Sequence, residues 1–413
     1  MAHHELARRL TLADAVVIGL GAMIGAGVFA APGPAAAAAG TWLLAGLGLA
    51  ALVAYCNATS SAQLAALYPE AGGTYVYARR QIGDYWGFLA GWSFVVGKTA
   101  SLSAMALTFG SYVAPEATRP VGIAAVVAMA AVNYLGVRKT AGLTKVIVAL
   151  VLAALAATVA ATLLGGQADV ANLTTDLPGG VFGVLQSGGL LFFAFAGYAR
   201  LATLGEEVIE PENTIPKAIP IALGVVVAVY AIVLVSALVA AGPETMAQAP
   251  APLAAAVEAG RWAGLAPVVR VGAAIATAGV LLSLLAGISR TALSMARRGE
   301  LPRFLDAVHP THRTPHRAEA AAAVIVCAVV LTADLRGAIG FSSFAVLTYY
   351  ALANASAWTL TDGQRRWPRW IAGLGVALCI VLAFTLPAVA VVGGLILLGA
   401  GSLVWLATRQ LRR

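Results

Sequence analysis

The stretch Gly19-Leu20-Gly21-Ala22-Met23-Ile24-Gly25-Ala26-Gly27-Val28-Phe29 decides how this chain is read. It lies inside an apolar segment long enough to cross a bilayer, yet four of its eleven residues are glycine. Each glycine in a helix interior costs about 1 kcal/mol relative to alanine. Lipid tolerates unpaired backbone only where protein or a water-filled cavity satisfies it. A helix weakened at this depth therefore marks backbone set aside for a ligand.

The surrounding composition fits that setting. The chain has 413 residues, of which 60% are hydrophobic and 11% charged, and its mean hydropathy is +0.87. Soluble domains carry about 25% charged residues, so this is a polytopic all-α membrane protein. Cys56, Cys327 and Cys379 sit in apolar runs with neither disulfide nor metal spacing. No phosphate-loop motif is present, which argues against direct nucleotide drive. No cofactor is expected. The segment from Leu12 to Ala39 follows Arg8 and Arg9 as a secretory signal would, but it is too long for one.

A span needs about 20 apolar residues. On that scale the sequence predicts twelve transmembrane helices, at 12–38, 41–67, 84–113, 121–137, 142–164, 181–204, 216–241, 264–295, 318–334, 338–360, 369–387 and 388–408. Pro387 is a weak boundary, and one long helix there would leave eleven. With the N-terminus inside, the inner loops and tails hold 18 Lys and Arg and the outer loops 4. By the positive-inside rule both termini are cytoplasmic, in a multi-pass protein of the inner or plasma membrane. The same bias explains the pI of 9.6 without any nucleic-acid partner. The loop from Arg297 to Arg317 holds His309, His312 and His316 among arginines and reads as solvated and basic.

The sixth segment repeats the anomaly of the first: Ser187-Gly188-Gly189 leads through Phe192-Phe193-Ala194-Phe195-Ala196-Gly197-Tyr198-Ala199 to Arg200. Segments one and six are five apart, so a five-span unit and its copy would enter the membrane with opposite polarity. Glycine-interrupted segments at matching positions of two halves point to a binding site between inverted repeats. Small-residue packing between helices is the competing explanation of the glycines.

Four motifs, in order, resemble the amino acid–polyamine–organocation family of transporters. They are Gly21 to Phe29; Tyr68-Pro69-Glu70-Ala71-Gly72-Gly73-Thr74-Tyr75; Phe192 to Tyr198 followed by Glu206-Glu207 and Ile215-Pro216-Lys217; and Ser289-Arg290-Thr291 running on to Gly299-Glu300-Leu301-Pro302. The resemblance implies a LeuT-like five-plus-five inverted repeat with helices 1 and 6 broken. The repeats would cover about 12–164 and 181–360, with two extra C-terminal helices at about 369–408, in one transporter domain over 1–413.

An amino acid substrate presents a carboxylate and an ammonium. Amides at Gly25, Ala26 and Gly27 would take the carboxylate at a helix start. Free carbonyls at Ala22, Met23 and Ile24 would take the ammonium. The resemblance adds carbonyls at Phe193, Ala194 and Ala196 beside Gly197, and makes Phe193, Phe195 and Tyr198 candidates for a gate. It also makes Lys145 the candidate for ion coupling, its ammonium set against carbonyls near Gly21 and Met23. Lys98 and Arg200 put two cations near the cavity, which disfavours a cationic substrate; Arg200 alternatively reaches toward Glu206 and Glu207. Arg79, Arg80, Arg290 and Arg297, with those glutamates, are candidates for ion pairs closing an inner gate.

The expected activity is secondary active amino acid transport by alternating access. It would be proton-coupled or sodium-independent, with neutral substrates favoured and the bilayer as its surroundings. Exchange of one amino acid or amine for another is the alternative, and a transporter-like sensor a lesser one. An enzyme is not expected, because no intramembrane cluster of His, Asp or Glu occurs.

Overall fold

A computed structural model describes residues 10–68, 72–136, 141–174, 179–198, 201 and 207–410. Regular structure among them is helical, with one isolated bridge between Leu10 and Val208. The first segment comprises α1 (Leu12–Met23), α2 (Gly27–Ala30) and α3 (Pro32–Ala39). Then come α4 (Leu43–Leu67), the short α5 (Thr74–Ile82), α6 (Asp84–Val113), α7 (Thr118–Tyr134), α8 (Ala141–Leu164) and α9 (Gly180–Phe195). The second half holds α10 (Pro211–Gln248), the short α11 (Pro252–Glu258), α12 (Ala266–Arg297), α13 (His316–Thr332), α14 (Leu335–Trp358), α15 (Arg369–Thr385) and α16 (Ala388–Gln410).

A helix falls in each predicted segment. Among the described residues nine are long and apolar enough to cross a membrane. Three fall short of that measure for readable reasons. The helices α13 and α15 have 17 residues each. The 30-residue α6 carries Lys98, Thr99, Ser101, Ser103 and Thr108 on its inner face. Pro387 separates α15 from α16, so the last apolar stretch is two helices.

The sequence explains the local features. A capping box starts α1: Thr11 Oγ1 accepts from the Asp14 amide at 3.3 Å, and Asp14 Oδ2 accepts from the Thr11 amide at 3.1 Å. Gly73, at φ 57°, turns the chain into α5, whose Thr74 amide donates to the Tyr349 hydroxyl at 3.1 Å. The kink within α10 falls at Gly242, at φ 72° and followed by Pro243.

Packing sorts the helices into a core and a shell. The two interrupted segments lie inside, where α1 packs on α8 and α10, and α9 on α3 and α4. The polar α6 is clasped between α12 and α14. The outer faces are apolar: Val389 is 82% exposed and Val181 73%. Such surfaces belong against lipid tails rather than water. Behind the sixth segment Asn57 and Asn354 meet, Nδ2 of Asn354 donating to Oδ1 of Asn57 at 2.5 Å.

Candidate functional site

The first glycine-marked segment is interrupted where the sequence placed the weakness, and in the sixth the α-helix gives way to a tighter turn beside Gly197. The first helix ends at Met23, and Ile24, at φ −75° and ψ 40°, leaves the helical path. The amide of Ile24 still bonds Leu20 O, at 2.6 Å. Helix resumes at Gly27. Among the described residues, none accepts from the amides of Gly25, Ala26, Gly27 or Val28. These are the orphan donors that any helix start leaves. In the sixth segment α9 stops at Phe195 and tightens to a 3₁₀ turn over Ala196–Tyr198.

The breaks touch through their glycines. A Cβ on Gly27 would stand 2.5 Å from Ala194 Cα, and one on Gly197 would meet the Ala22 carbonyl and, at 2.8 Å, the Met23 nitrogen. The obstacles are backbone, so glycine is needed at both positions. The small-residue explanation and the break are therefore one feature: the glycines let the interrupted first segment lie against the end of α9 and its 3₁₀ turn.

The carbonyls expected to be free are partnered. The Tyr230 hydroxyl, from α10, lies 2.5 Å from Met23 O and 3.1 Å from Ala194 O. Its one hydrogen serves one carbonyl at a time and bridges the two breaks. Lys98 Nζ donates to Ala196 O at 3.2 Å, and the Tyr350 hydroxyl reaches the same oxygen at 3.4 Å. An unmet carbonyl is costly in an apolar interior, so the protein supplies donors of its own. Each carbonyl keeps a second lone pair.

A cavity of about 40 Å³ lies between the breaks. Of the predicted substrate residues, Ala22, Met23, Ala26, Gly27, Lys98, Phe193, Ala194, Ala196 and Gly197 line it. Ile24 and Gly25 do not; Ile24 is buried and Gly25 packs against Val280. Arg200, with Ala199 and Glu206, lies outside the described residues. Lys98 is the one charged residue on the cavity wall among those described, and it is only 6% exposed.

The three aromatics part company. Phe193 borders the cavity. Phe195 instead packs on Tyr230, ring centres 5.2 Å apart, and Tyr198 on Tyr350 at 4.8 Å. These two face neighbouring helices because successive residues around a helix point about 100° apart.

Lys145 takes a place other than the expected one. Its Nζ lies 2.7 Å from Asp14 Oδ1, with the lysine side chain 54% exposed. It therefore pairs with the acidic first turn of α1 rather than with carbonyls near Gly21 and Met23. A carboxylate at a helix start outcompetes carbonyls two turns deeper. Gly21 meets Thr144 and Val148 instead, each 2.9 Å from where a Cβ would stand.

The sequence reading missed Ser101, Met105, Val280 and Leu284 on the cavity wall. Ser101 and Met105 continue a helical stripe from Lys98, at i+3 and i+7, so that signal was present. Val280 and Leu284 are apolar residues of an apolar helix and carried none. Tyr230 and Tyr350 were equally silent, since an aromatic in a span is usually packing.

At the end of the bundle where α1 begins, two of the expected arginines, Arg79 and Arg297, are paired, but with acids other than Glu206 and Glu207. Arg79 of α5 is bonded to Glu300, just after α12, and lies 3.0 Å from Asp84. Tyr75 donates to Glu300 Oε2 at 2.7 Å. Burial and the neighbouring Glu300 carboxylate push the Tyr75 phenol up. Arg297 pairs with Asp306 at 3.1 Å. Close by, His309, His312 and His316 gather around Tyr134. Partial burial and the two neighbouring imidazoles hold His309 below the usual histidine value. Among the described residues no group of three ligand side chains is placed to hold a metal. At the opposite end an open hollow of about 550 Å³, rimmed by Glu116, Arg119 and Asp334, stands away from both breaks.

Known proteins give the geometry a context. The family model for amino acid permeases matches residues 10–406. An uncharacterised transporter of Mycobacterium tuberculosis is 58% identical over 397 residues, 96% of this chain and 90% of its own. A branched-chain amino acid permease of Bacillus subtilis is 25% identical, covering 97% of this chain and 93% of its own. A serine/threonine exchanger of the same organism is 26% identical, covering 96% and 91%.

Proposed function

The chain belongs to the amino acid permease family of the amino acid–polyamine–organocation superfamily, and on that premise we propose a secondary active amino acid transporter working by alternating access. As in the rest of the family, the activity is transport rather than catalysis. The observation that carries the reading is the interrupted first helix facing, across one cavity, the 3₁₀ turn that follows α9. On one side of it lie the amides of Ala26 and Gly27, without acceptors among the described residues, and on the other the carbonyls of Met23, Ala194 and Ala196.

In this reading the substrate carboxylate sits on the amides of Ala26 and Gly27, favoured by the positive end of the helix dipole. The ammonium bonds the Met23, Ala194 and Ala196 carbonyls. Backbone groups read the part common to all amino acids, and the wall formed by Ser101, Met105, Val280 and Leu284 meets the side chain. Among the described residues no carboxylate lines the wall to meet a cationic side chain, so neutral substrates are favoured. A cavity of about 40 Å³ is far below the ~300–1,000 Å³ of typical ligand pockets. Loading therefore requires the breaks to separate, and Phe193 is placed to close over the occupant.

The architecture proposed is twelve spans in two inverted repeats with two added helices, both termini cytoplasmic, in the cell membrane. It is supported by the helices found in each segment and by the 18-to-4 distribution of basic residues. Transport is taken as proton-coupled or sodium-independent. The resemblance assigns coupling to Lys145, which in this chain would act through Asp14. Exchange is the second reading, favoured by the serine/threonine exchanger among the relatives.

Proteoliposomes test both. Uptake of L-leucine or L-threonine that follows a proton gradient supports coupled transport. Uptake only into vesicles preloaded with amino acid supports exchange. No shift in thermal stability and no uptake with any of the twenty amino acids would overturn the proposal.

A further inference from the structure

Lys98 stands where the proposed substrate's own amine would go. Its head donates to Ala196 O from inside the cavity wall, and that carbonyl belongs to the 3₁₀ turn that follows α9. The lysine is 6% exposed, and among the described residues no carboxylate lines the cavity. Among the described residues, the other groups that line the cavity with it are uncharged. The α12 side gives Val280 and Leu284, and the first break gives Ala22, Met23, Ala26 and Gly27. Tyr350 from α14 reaches the same carbonyl, with Tyr198 stacked on it and Tyr230 on the carbonyls nearby. Nothing in that set neutralises a second cation.

We infer that Lys98 is a tethered cation occupying the amine subsite, so that protonated Lys98 and bound substrate exclude each other. The inference rests on the amino acid reading of the cavity. A substrate ammonium bonded to Ala196 O would lie within about 5 Å of the lysine head, since both would be in hydrogen-bond range of one oxygen. At that separation and an effective dielectric near 20, repulsion shifts the lysine's proton equilibrium by about a hundredfold or more. The step is R–NH₃⁺ to R–NH₂ plus H⁺. The proton leaves to water on the side to which the cavity is open, and the substrate's N–H replaces the lysine's at Ala196 O. When the substrate departs on the other side, Lys98 takes up a proton there and resumes the bond. Substrate and proton then move in opposite directions through one site, which fixes the sign of coupling.

The experiment measures proton release in weakly buffered detergent solution with a pH indicator, using L-threonine and L-leucine as probes. In the pH window where Lys98 is charged in the empty site and neutral in the occupied one, about one proton should appear per amino acid bound and affinity should rise about tenfold per pH unit. Lys98→Gln keeps a donor for Ala196 O without the charge; it should bind with no proton release and a flat pH profile. In proteoliposomes an acidic lumen should speed wild-type uptake and an acidic bath should slow it. Binding without proton release, or uptake accelerated by an acidic bath, overturns the inference and leaves the transporter reading standing. If neither probe nor any other amino acid binds the wild type, it is the reading of the site that fails.

Discussion

Replacing Gly27 by alanine adds one carbon at the contact between the two breaks. That carbon would stand 2.5 Å from Ala194 Cα and 2.8 Å from Ala194 Cβ. Carbon atoms rest about 3.5–4.0 Å apart, so the breaks must part by about 1 Å. Overpacking of this kind costs about 1–3 kcal/mol. The same parting stretches the bridge in which the Tyr230 hydroxyl sits 2.5 Å from Met23 O and 3.1 Å from Ala194 O, which forfeits about 1 kcal/mol. Alanine returns up to about 1 kcal/mol of helix propensity. The closed arrangement therefore loses about 2 kcal/mol, while an open arrangement with parted breaks loses little. Since 1.4 kcal/mol is tenfold in an equilibrium, closure becomes about thirtyfold less favourable. Transport of L-leucine or L-threonine in proteoliposomes should fall by a similar factor, with the protein still folded by size-exclusion chromatography. Gly224 in α10, where a Cβ meets nothing within 4 Å, supplies the control: Gly224→Ala should transport normally and melt no lower. Wild-type transport by Gly27→Ala would refute the claim that the breaks close directly on each other.

Other consequences follow from single contacts. Tyr230→Phe removes the donor shared by Met23 and Ala194; stability should drop by about 1–3 kcal/mol, read as a lower Tm in detergent. Glu300→Gln leaves Arg79 and Tyr75 without their carboxylate; a loss of about 2 kcal/mol is expected, below the 3–5 of a fully buried pair because Arg79 is partly exposed. Lys145→Ala breaks a half-exposed pair and should cost under about 1 kcal/mol; an unchanged pH dependence of uptake would remove the lysine from any coupling role. His309 is held below the usual histidine value, so the unfolded chain binds its proton first as pH falls. Its contribution to stability is present above about pH 6.5 and is lost on acidification below that value. Between pH 7.5 and 5 the wild-type Tm should therefore fall more steeply than that of His309→Asn.

The places where the α-helix gives way were legible because glycine carries a local cost in a helix, and Gly25, Gly27 and Gly197 lie at them. The chemistry of the breaks was only half legible. Sequence locates the donors that a helix start leaves open, since those are fixed by where the backbone stops winding. It does not locate the partners that other helices bring to the carbonyls, and Tyr230 and Tyr350 come from segments 36 and 154 residues away from the oxygens they meet. The same limit explains Lys145: its place along α8 was readable, its choice of Asp14 was not, because that depends on how α1 and α8 cross. Lys98 shows the opposite case. A lysine in mid-span is costly unless it faces a partner or a cavity, so its presence was a signal, while which of the two it met depended on the fold. What the fold adds is that its partner is a carbonyl of the second break. A cation placed there acts on the same backbone that the glycines expose, and whatever enters the cavity must contend with both.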